Sequence, residues 1–290
     1  MSTAVECVDP HDDGLSLDPE DHKSAGPSVG FRRAEAAYWL GIVFADRVGY
    51  VAMAYGAAPY RTAQGAYRHR TWREQRYLWP AERDQLLGDV AEHLAGAVTG
   101  GPHIDAYICP HLRRSDGRDA HTTMKRAGNV LPLVAVHADL DGPPADPELW
   151  ATLCPLRVAS GTPGHEHGLV LLAEPCEDLD RWCQLQVALR DRLGGGADSK
   201  IADNDVLRLP GTVNCKPAAP RAGQPAGDPA PVTVLPGWGG RLWTVPELAE
   251  LLGIDLTHPA PPARPTPTGG STTPVGVGRA GGAGWVRSMP

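Results

Sequence analysis

The alternation of apolar and polar positions predicts a chain that mixes helices with strands. Over residues 80–98, apolar side chains return at helical spacing after a proline and an acidic first turn, which is typical of an amphipathic helix. A second helix is predicted over residues 178–193, where a glycine follows its last turn. A third is predicted over residues 248–252, because Thr244 and Glu247 have the spacing of a capping box.

Shorter runs rich in branched apolar residues predict strands. They cover residues 104–108, 133–140 and 206–209, with two neighbouring strands between 158 and 172. Residues 36–44 and 49–55 fit either a hairpin or a helix followed by a strand, because such apolar runs are too short to distinguish the two. Elements mixed in this way indicate an α+β or α/β architecture.

Composition separates a folded middle from two polar ends. Residues 1–30 are acidic, rich in Ser, Gly and Pro, and without hydrophobic periodicity. From residue 259 to the end, 14 of 32 residues are Pro or Gly. Neither segment buries enough apolar surface to offset the entropy of ordering it. We therefore predict disordered tails over 1–30 and 256–290, and a folded domain over 31–255.

The net charge of −7 comes from the N-terminal tail, which holds seven acids and no Lys or Arg in residues 1–22. The rest of the chain has 27 acids and 27 bases. Each basic cluster by itself is most simply interpreted as a solvated loop, yet local basic patches on a neutral body permit contacts with phosphate. The clusters are Arg61, Arg68, Arg70, Arg73 and Arg76, and then Arg113, Arg114, Arg118, Lys125 and Arg126.

Several classes of protein do not fit the sequence. No apolar run is long enough for a membrane-spanning helix, and the first residues lack the layout of a secretion signal, so we expect a cytoplasmic protein without a membrane partner. The six cysteines include no C-x-x-C pair, which argues against a structural zinc site and a disulfide framework.

The segment 134–142 (VAVHADLDG) carries the first candidate chemistry. In a strand, His137, Asp139 and Asp141 share one face and the apolar residues take the other. Two carboxylates at this spacing repel each other unless a cation lies between them, and oxygen ligands suit Mg²⁺ or Mn²⁺. A strand that simply runs into a Gly-Pro-Pro turn explains the same residues equally well.

The segment 160–168 (SGTPGHEHG) is a glycine-rich turn that leads into a strand. Such a turn exposes backbone N–H groups that bind phosphate oxygens, and His165 and His167 point to the same side. The H-x-H pair is also a metal-ligand spacing, found in rolling-circle initiators that use a tyrosine nucleophile. For an isolated match, a loop with two exposed histidines is favoured.

The segment 198–216 combines carboxylates, a short strand, a Pro-Gly turn and two cations. A carboxylate arriving beside Asp139 and Asp141 would complete a cage for two metal ions, and Arg208 and Lys216 would neutralise phosphate charge. By composition alone, the segment also fits an ordinary surface loop.

In their order and combination, the three segments closely resemble the archaeo-eukaryotic primase superfamily, in particular the primase-polymerase domains of bacterial plasmids and mobile elements. That family has D-h-D (h, hydrophobic), then a Ser- and Gly-rich turn ending in histidine, then an aspartate followed by R-L-P-G-T-x-N-x-K. Here these are Asp139 and Asp141, residues 160–167, and Asp203 followed by RLPGTVNCK over 208–216. The resemblance covers about residues 40–255, and the last motif is its most specific part.

The resemblance implies an α+β fold in which an RRM-like catalytic sheet joins an N-terminal α/β unit. It implies a template-dependent nucleotidyltransferase, a DNA primase or polymerase, with two Mg²⁺ or Mn²⁺ ions on Asp139, Asp141 and Asp203. His167 would bind the incoming triphosphate. The helpers implied for that contact are Ser160, His165, Arg208 and Lys216. The implied partners are a single-stranded DNA template with its primer and dNTP or NTP, and a helicase would be a separate protein because no Walker loop is present.

Two departures from the family pattern leave alternatives. Gly168 follows His167 where the family has apolar and aromatic residues, so His165 competes for the triphosphate. Asp205 and Asp198 compete with Asp203 for the third carboxylate, in that order. Two other functions stay open: a nicking enzyme that uses the histidines with a tyrosine such as Tyr107, and an inactive primase-like module that only binds nucleic acid or a replication protein.

Overall fold

The polypeptide forms two four-stranded sheets, in which every pair of neighbouring strands is antiparallel, with helices packed against them. A computed structural model describes residues 30–98, 103–114, 130–198, 201–219 and 227–256. The predicted tails lie outside these residues apart from residues 30 and 256, and so do Arg118, Lys125 and Arg126. In chain order the elements are α1 (Arg33–Phe44), β1 (Gly49–Arg61), β2 (Tyr67–Trp79), α2 (Arg83–Val98), β3 (Ile104–Ile108), β4 (Leu133–Leu140), α3 (Pro147–Leu153), β5 (Leu156–Ala159), β6 (Glu166–Cys176), α4 (Leu179–Leu193), β7 (Leu207–Arg208), β8 (Val213–Asn214), β9 (Ala230–Pro231), β10 (Thr233–Val234) and α5 (Val245–Leu252).

The first sheet has the strand order β2-β1-β3-β7 and is built around one long hairpin. Strands β1 and β2 pair over their whole length, from Gly49 opposite Trp79 to Arg61 opposite Tyr67. The arginines of the first basic cluster that follow residue 61 therefore lie on an edge strand, so their interpretation as a solvated loop was wrong. A charged edge strand is a common way to prevent pairing with another chain.

Helices α1 and α2 pack on this sheet through the larger core. Residues 36–44 belong to a helix and 49–55 to a strand, which resolves the ambiguity between a hairpin and a helix followed by a strand. The apolar side of α2 is buried as predicted, with Leu86, Leu87 and Val90 in a core that also contains residues of the second sheet.

The second sheet has the order β10-β5-β6-β4 and lies between two cores. One face packs on α3, α4 and α5, and the other contributes to the core shared with the first sheet. Every residue of β4 except Asp139 is consequently buried. The expected division of β4 into an apolar and an acidic face holds only in part. A bulge after Leu133 places Val134 on the face that was expected to be acidic, and His137, on that same face, is buried.

The helix ends follow the sequence closely, because capping depends on neighbouring residues. The Asp178 side chain accepts a hydrogen bond from the Arg181 N–H at the start of α4, and Gly194 ends that helix with φ 68°. Thr244 and Glu247 form the predicted capping box of α5. The α+β class is confirmed. Within the described ranges, no helix is both long and apolar enough to cross a membrane.

Candidate functional site

Two aspartate–histidine pairs form where β4 lies beside β6. Asp139 is directly opposite His167 in the antiparallel register. Asp141 follows the end of β4, and its Oδ1 lies 2.7 Å from His165 Nδ1. Asp141 is 63% exposed, whereas His167 is buried. The D-h-D segment and the glycine-rich turn, separate in sequence, therefore meet side by side.

The backbone of β4 explains why Asp139 and His167 face each other closely. Alternate residues of β4 direct their N–H and C=O groups away from β6, towards the sheet edge, where α4 caps them. Trp182 Nε1 donates to the Ala135 carbonyl at 2.7 Å, and the His137 N–H donates to Gln186 Oε1 at 2.9 Å. Asp139, like Ala135 and His137, directs its main-chain groups away from β6, so Asp139 and His167 form a non-hydrogen-bonded cross-strand pair. In antiparallel sheets the Cα atoms of such pairs are closer together than those of hydrogen-bonded pairs.

A short segment after α4 extends this edge and brings Asp198 alongside Asp139. The Asp198 N–H donates to the Asp139 carbonyl at 2.8 Å, and the Asp141 N–H donates to the Gly196 carbonyl at 2.7 Å. Gly196 is required there, because a Cβ at this position would lie 2.6 Å from the Pro143 carbonyl oxygen. Of the three candidates for the third carboxylate, Asp198 has a main-chain hydrogen bond to Asp139.

Asp203 forms a buried ion pair with an arginine that the sequence did not single out. Arg113 Nη1 lies 3.0 Å from Asp203 Oδ2 and donates to the Asp203 carbonyl at 2.8 Å, and both side chains are buried. Cys109 Sγ lies 3.4 Å from the same carbonyl. Asp205 instead accepts a hydrogen bond from the Ala202 N–H at 2.8 Å within a turn. Membership of a basic cluster was the only sequence signal for Arg113.

The donor set at the end of β4 fits a divalent cation in its chemistry but is incomplete. Asp139 and Asp141 supply oxygen donors, which Mg²⁺ and Mn²⁺ prefer. Among the residues that the structure describes, no three His, Cys, Asp or Glu side chains are arranged to hold a metal ion. The Asp203 carboxylate is balanced by Arg113, so its participation requires that this ion pair rearrange.

The glycine-rich turn is a defined structure next to these carboxylates. The Ser160 N–H donates to the His165 carbonyl at 3.1 Å, and the His165 N–H donates to the Thr162 carbonyl at 3.0 Å. Gly161 and Gly164 have φ of 78° and 74°, in the left-handed region that favours glycine. An open pocket of about 410 Å³ lies against this turn.

Asn214, from the R-L-P-G-T-x-N-x-K segment, holds the turn in place. Its Nδ2 donates to the Ser160 carbonyl at 2.7 Å and to Thr162 Oγ1 at 3.1 Å. Its Oδ1 accepts from the Lys216 N–H at 2.9 Å. The approach is so close that a Cβ on Gly161 would lie 2.8 Å from the Asn214 Cβ. The second and third motifs are thus joined through a buried amide.

The departure at Gly168 has a steric explanation. A Cβ on Gly168 would lie 2.5 Å from the Trp150 ring, so only glycine admits this tryptophan. Trp150 Nε1 in turn donates to Glu166 at 2.7 Å, and Arg157 Nη2 donates to the same carboxylate at 2.6 Å. Glu166 therefore takes the face opposite to His165 and His167, as strand alternation requires.

Arg208 lies on the first sheet and is engaged by Asp105. Its guanidinium pairs with the Asp105 carboxylate, which also bonds Tyr67 and His69 and accepts from the Cys215 N–H at 2.8 Å. Burial alone would raise the pKa of Asp105, but Arg208 and these hydrogen bonds hold it below its usual range. Burial also raises the pKa of Tyr107, the reverse of what an activated tyrosine nucleophile needs.

A second buried cluster, formed by His111, His137 and Trp182, lies near Arg113 of the Asp203 ion pair. The His111 ring is 5.7 Å from the His137 ring and 5.3 Å from the Trp182 ring. Neither ring nitrogen of His111 has a hydrogen-bond partner among the described residues. The pKa of His111 lies well below 6.5, mainly because the ring is buried. The nearby His137, Arg113 and Arg47 lower it further.

No protein-family model matches the sequence, and no curated protein matches it. Among solved structures, the crystal structure of primase RepB′ is similar, with 16% sequence identity and a TM-score of 0.47. The likeness covers 77% of this chain and 62% of that one, so this chain spans less than two thirds of the length of that primase chain.

Proposed function

We propose that this protein is a template-dependent nucleotidyltransferase of the primase or polymerase type, which joins nucleotides on single-stranded DNA. The observation that carries the proposal is the pairing of Asp139 with His167 and of Asp141 with His165. Two of the three motifs of the primase resemblance are thereby adjacent in the fold. Asn214 adds the third motif through its hydrogen bond to Ser160.

Asp139, Asp141 and Asp203 hold two Mg²⁺ or Mn²⁺ ions in this proposal. Bound there, the ions would lower the pKa of a primer 3′-hydroxyl and neutralise triphosphate charge. Asp203 follows from the motif order, and Asp198 is the alternative supported by its hydrogen bond to Asp139. Asp141 would leave His165 and bind the ion, because a carboxylate is attracted more strongly to a divalent cation than to a histidine ring.

The triphosphate would lie against the glycine-rich turn. His167 donates a hydrogen bond to it, and the pairing of Asp139 with His167 puts that histidine close to the carboxylate that would hold the ion. Ser160 and His165, which lie in the turn, would help to bind the triphosphate. Lys216, whose main-chain N–H bonds Asn214 Oδ1, would neutralise phosphate charge. Arg208 contributes indirectly, by fixing β7 against β3 through Asp105.

The proposal extends to the setting in which such an enzyme acts. We infer a cytoplasmic protein that works in the replication of a plasmid or mobile element, with a template, a primer, dNTP or NTP and a separate helicase as partners. The resemblance of the three motifs supports this setting.

The test is incorporation of labelled dNTP or NTP on a primed and an unprimed template, with Mg²⁺ or Mn²⁺. We expect products from the natural chain, none from Asp139→Asn or Asp141→Asn, and full activity from Asp84→Asn, whose exposed carboxylate lies on α2. Incorporation retained by Asp139→Asn overturns the assignment. Absence of product in every lane favours the module that only binds.

A further inference from the structure

Strand β2 presents an exposed surface of unusual composition at the edge of the first sheet. Its residues 70–73 are all exposed, and so is Arg68. Trp72 is one of three large apolar residues with high exposure among the described residues, at 42%. The one acid on the strand, Glu74, is buried. The surface therefore combines positive charge with an exposed indole.

Trp72 belongs to an aromatic cluster that spans two strands, and we call Trp72, Tyr107 and His69 the aromatic platform. The Trp72 ring is 5.3 Å from the Tyr107 ring and 5.8 Å from the His69 ring. The Tyr107 and His69 rings are 5.9 Å apart. An isolated exposed tryptophan has no such support.

The buried Asp105 network holds the platform from below. Asp105 Oδ2 lies 2.7 Å from His69 Nε2, and Arg208 Cζ lies 4.9 Å above the Tyr107 ring centroid. Gly56 leaves room for the His69 ring to pack on β1, because a Cβ on Gly56 would lie 2.5 Å from that ring. The platform is thus preorganised, which lowers the entropic cost of binding a ligand.

We propose that the β2 surface binds single-stranded DNA, with a base stacked on Trp72 and the phosphates held by Arg68, Arg70 and Arg73. Trp72 offers a base its ring on the Tyr107 face of the edge strand. Arg68, Arg70 and Arg73 alternate to the other face of the same strand and line the edge along which the phosphates would lie. A duplex hides its base faces. The inference rests on the proposed function in one respect, namely that the bound strand is the template.

A continuous path of contacts leads from this surface towards the candidate site. Tyr107 and Cys109 lie two residues apart along the line of β3, so their side chains share a face. Both belong to the small apolar cluster over β1. Cys109 Sγ lies 3.4 Å from the Asp203 carbonyl. Buried side chains therefore connect the platform with Asp203, one of the carboxylates of the proposed metal site.

The test is the affinity of the full chain for a labelled oligo(dT), measured by fluorescence anisotropy without nucleotide or metal. We expect Trp72→Ala to weaken binding by about 10-fold and Trp72→Phe to restore most of it, since a stacked base typically contributes that much. Leu242→Ala is the matched control, because Leu242 is 49% exposed; it should bind as the natural chain does.

The arginines are tested through the dependence of binding on salt. Each phosphate contact on a single strand contributes about 0.7 to the slope of log affinity against log salt. Arg70→Gln and Arg73→Gln should each lower that slope by about this amount, whereas Arg181→Gln, on the exposed side of α4, should leave it unchanged. An unchanged slope in both β2 variants overturns the proposal.

An abasic oligonucleotide separates stacking from charge. The natural chain should bind it more weakly than oligo(dT), and Trp72→Ala should bind the two equally. The role of Trp72 is overturned if the natural chain binds the abasic oligonucleotide as tightly as oligo(dT). It is also overturned if Trp72→Ala has the same affinity for oligo(dT) as the natural chain.

Failure of this inference is distinguishable from failure of the proposed function. If Trp72→Ala loses binding but no preparation incorporates nucleotide, the surface stands and the polymerase proposal fails. If incorporation depends on Asp139 but Trp72→Ala binds DNA as the natural chain does, the polymerase proposal stands and the surface fails.

Discussion

Asn214 and Ser160, 54 residues apart in sequence, are joined by a hydrogen bond of 2.7 Å from the side-chain amide to the main-chain carbonyl. The same amide also bonds Thr162 Oγ1 and the Lys216 N–H. Asn214 is buried, so water does not replace these partners when the side chain is removed. The conformation of the glycine-rich turn therefore depends on the third motif.

Asn214→Ala should destabilise the fold by about 1–3 kcal/mol, because it leaves the buried Ser160 carbonyl and the part-buried Lys216 N–H without their partner. It should also raise the KM for nucleotide more than it lowers kcat, since the turn would no longer be held in place. Urea unfolding and steady-state kinetics measure the two effects. Asn214→Asp keeps the acceptor for Lys216 but loses the donor to Ser160, and should behave like Ala. A fall in stability with an unchanged KM contradicts a role in positioning the turn.

Gly161→Ala should cost distinctly more stability than Gly164→Ala. Both glycines have positive φ, so each alanine pays about 1 kcal/mol of backbone strain. A Cβ at Gly161 would also lie 2.8 Å from Asn214 Cβ and 3.0 Å from the Ala230 carbonyl, whereas nothing lies within 4 Å at Gly164. The added overpacking is about 1–3 kcal/mol. Equal unfolding midpoints for the two variants would show that the turn is not held tightly.

Asp105→Asn should destabilise the protein by about 3–5 kcal/mol, because it leaves the Arg208 guanidinium buried without its counterion. Asp84→Asn is the control: its carboxylate is 92% exposed and pairs with Arg33 on the surface, so its loss should cost less than about 0.5 kcal/mol. Urea unfolding at neutral pH compares them. A cost for Asp105→Asn as small as that of the control would show that Arg208 finds another partner.

Stability should fall as the pH falls below 6.5, in part because of His111. Its pKa is lowered by burial in the folded protein, so the unfolded chain binds a proton near pH 6.5 while the folded one does not. The contribution is complete above pH 6.5 and is lost as the pH falls towards the folded pKa, at up to about 1.4 kcal/mol per pH unit.

The check is the free energy of urea unfolding measured between pH 7.5 and 5. His111→Phe should reduce the slope of the unfolding free energy against pH by up to about 1.4 kcal/mol per pH unit, the equivalent of one bound proton. His103→Phe, at an exposed position, should leave the slope unchanged. Identical slopes in the natural chain and His111→Phe contradict the assignment.

Mn²⁺ should raise the thermal midpoint of the natural chain, and Asp139→Asn and Asp141→Asn should abolish that shift, because metal binding to the folded state stabilises it. Asp203→Asn should also abolish it and in addition lower the midpoint without metal, since Arg113 loses its partner. If Asp198→Asn abolishes the shift while Asp203→Asn retains it, the third ligand is Asp198. A shift that survives in Asp139→Asn removes the metal site altogether.

Elements with local determinants were predictable. Helix α2 repeats its apolar residues at helical spacing, and α4 and α5 carry their caps within three residues of their first turns. The strand 133–140 was predicted with its ends as observed. Strand β2 was missed, because charged residues that would not form a strand alone are held there by pairing with β1.

The sequence by itself determined that helices and strands are mixed, the approximate course of helices α2, α4 and α5 and of strands β3 and β4, and the order of the three motifs, since propensity, periodicity and capping are properties of neighbouring residues. Only the tertiary structure decided which side chains meet. Arg113 pairs with Asp203, Arg208 with Asp105 and Asn214 with Ser160, across 90, 103 and 54 residues. Such contacts depend on the order and register of strands in the sheets, which local patterns do not encode, and a buried charge or amide takes whichever partner that register brings within reach.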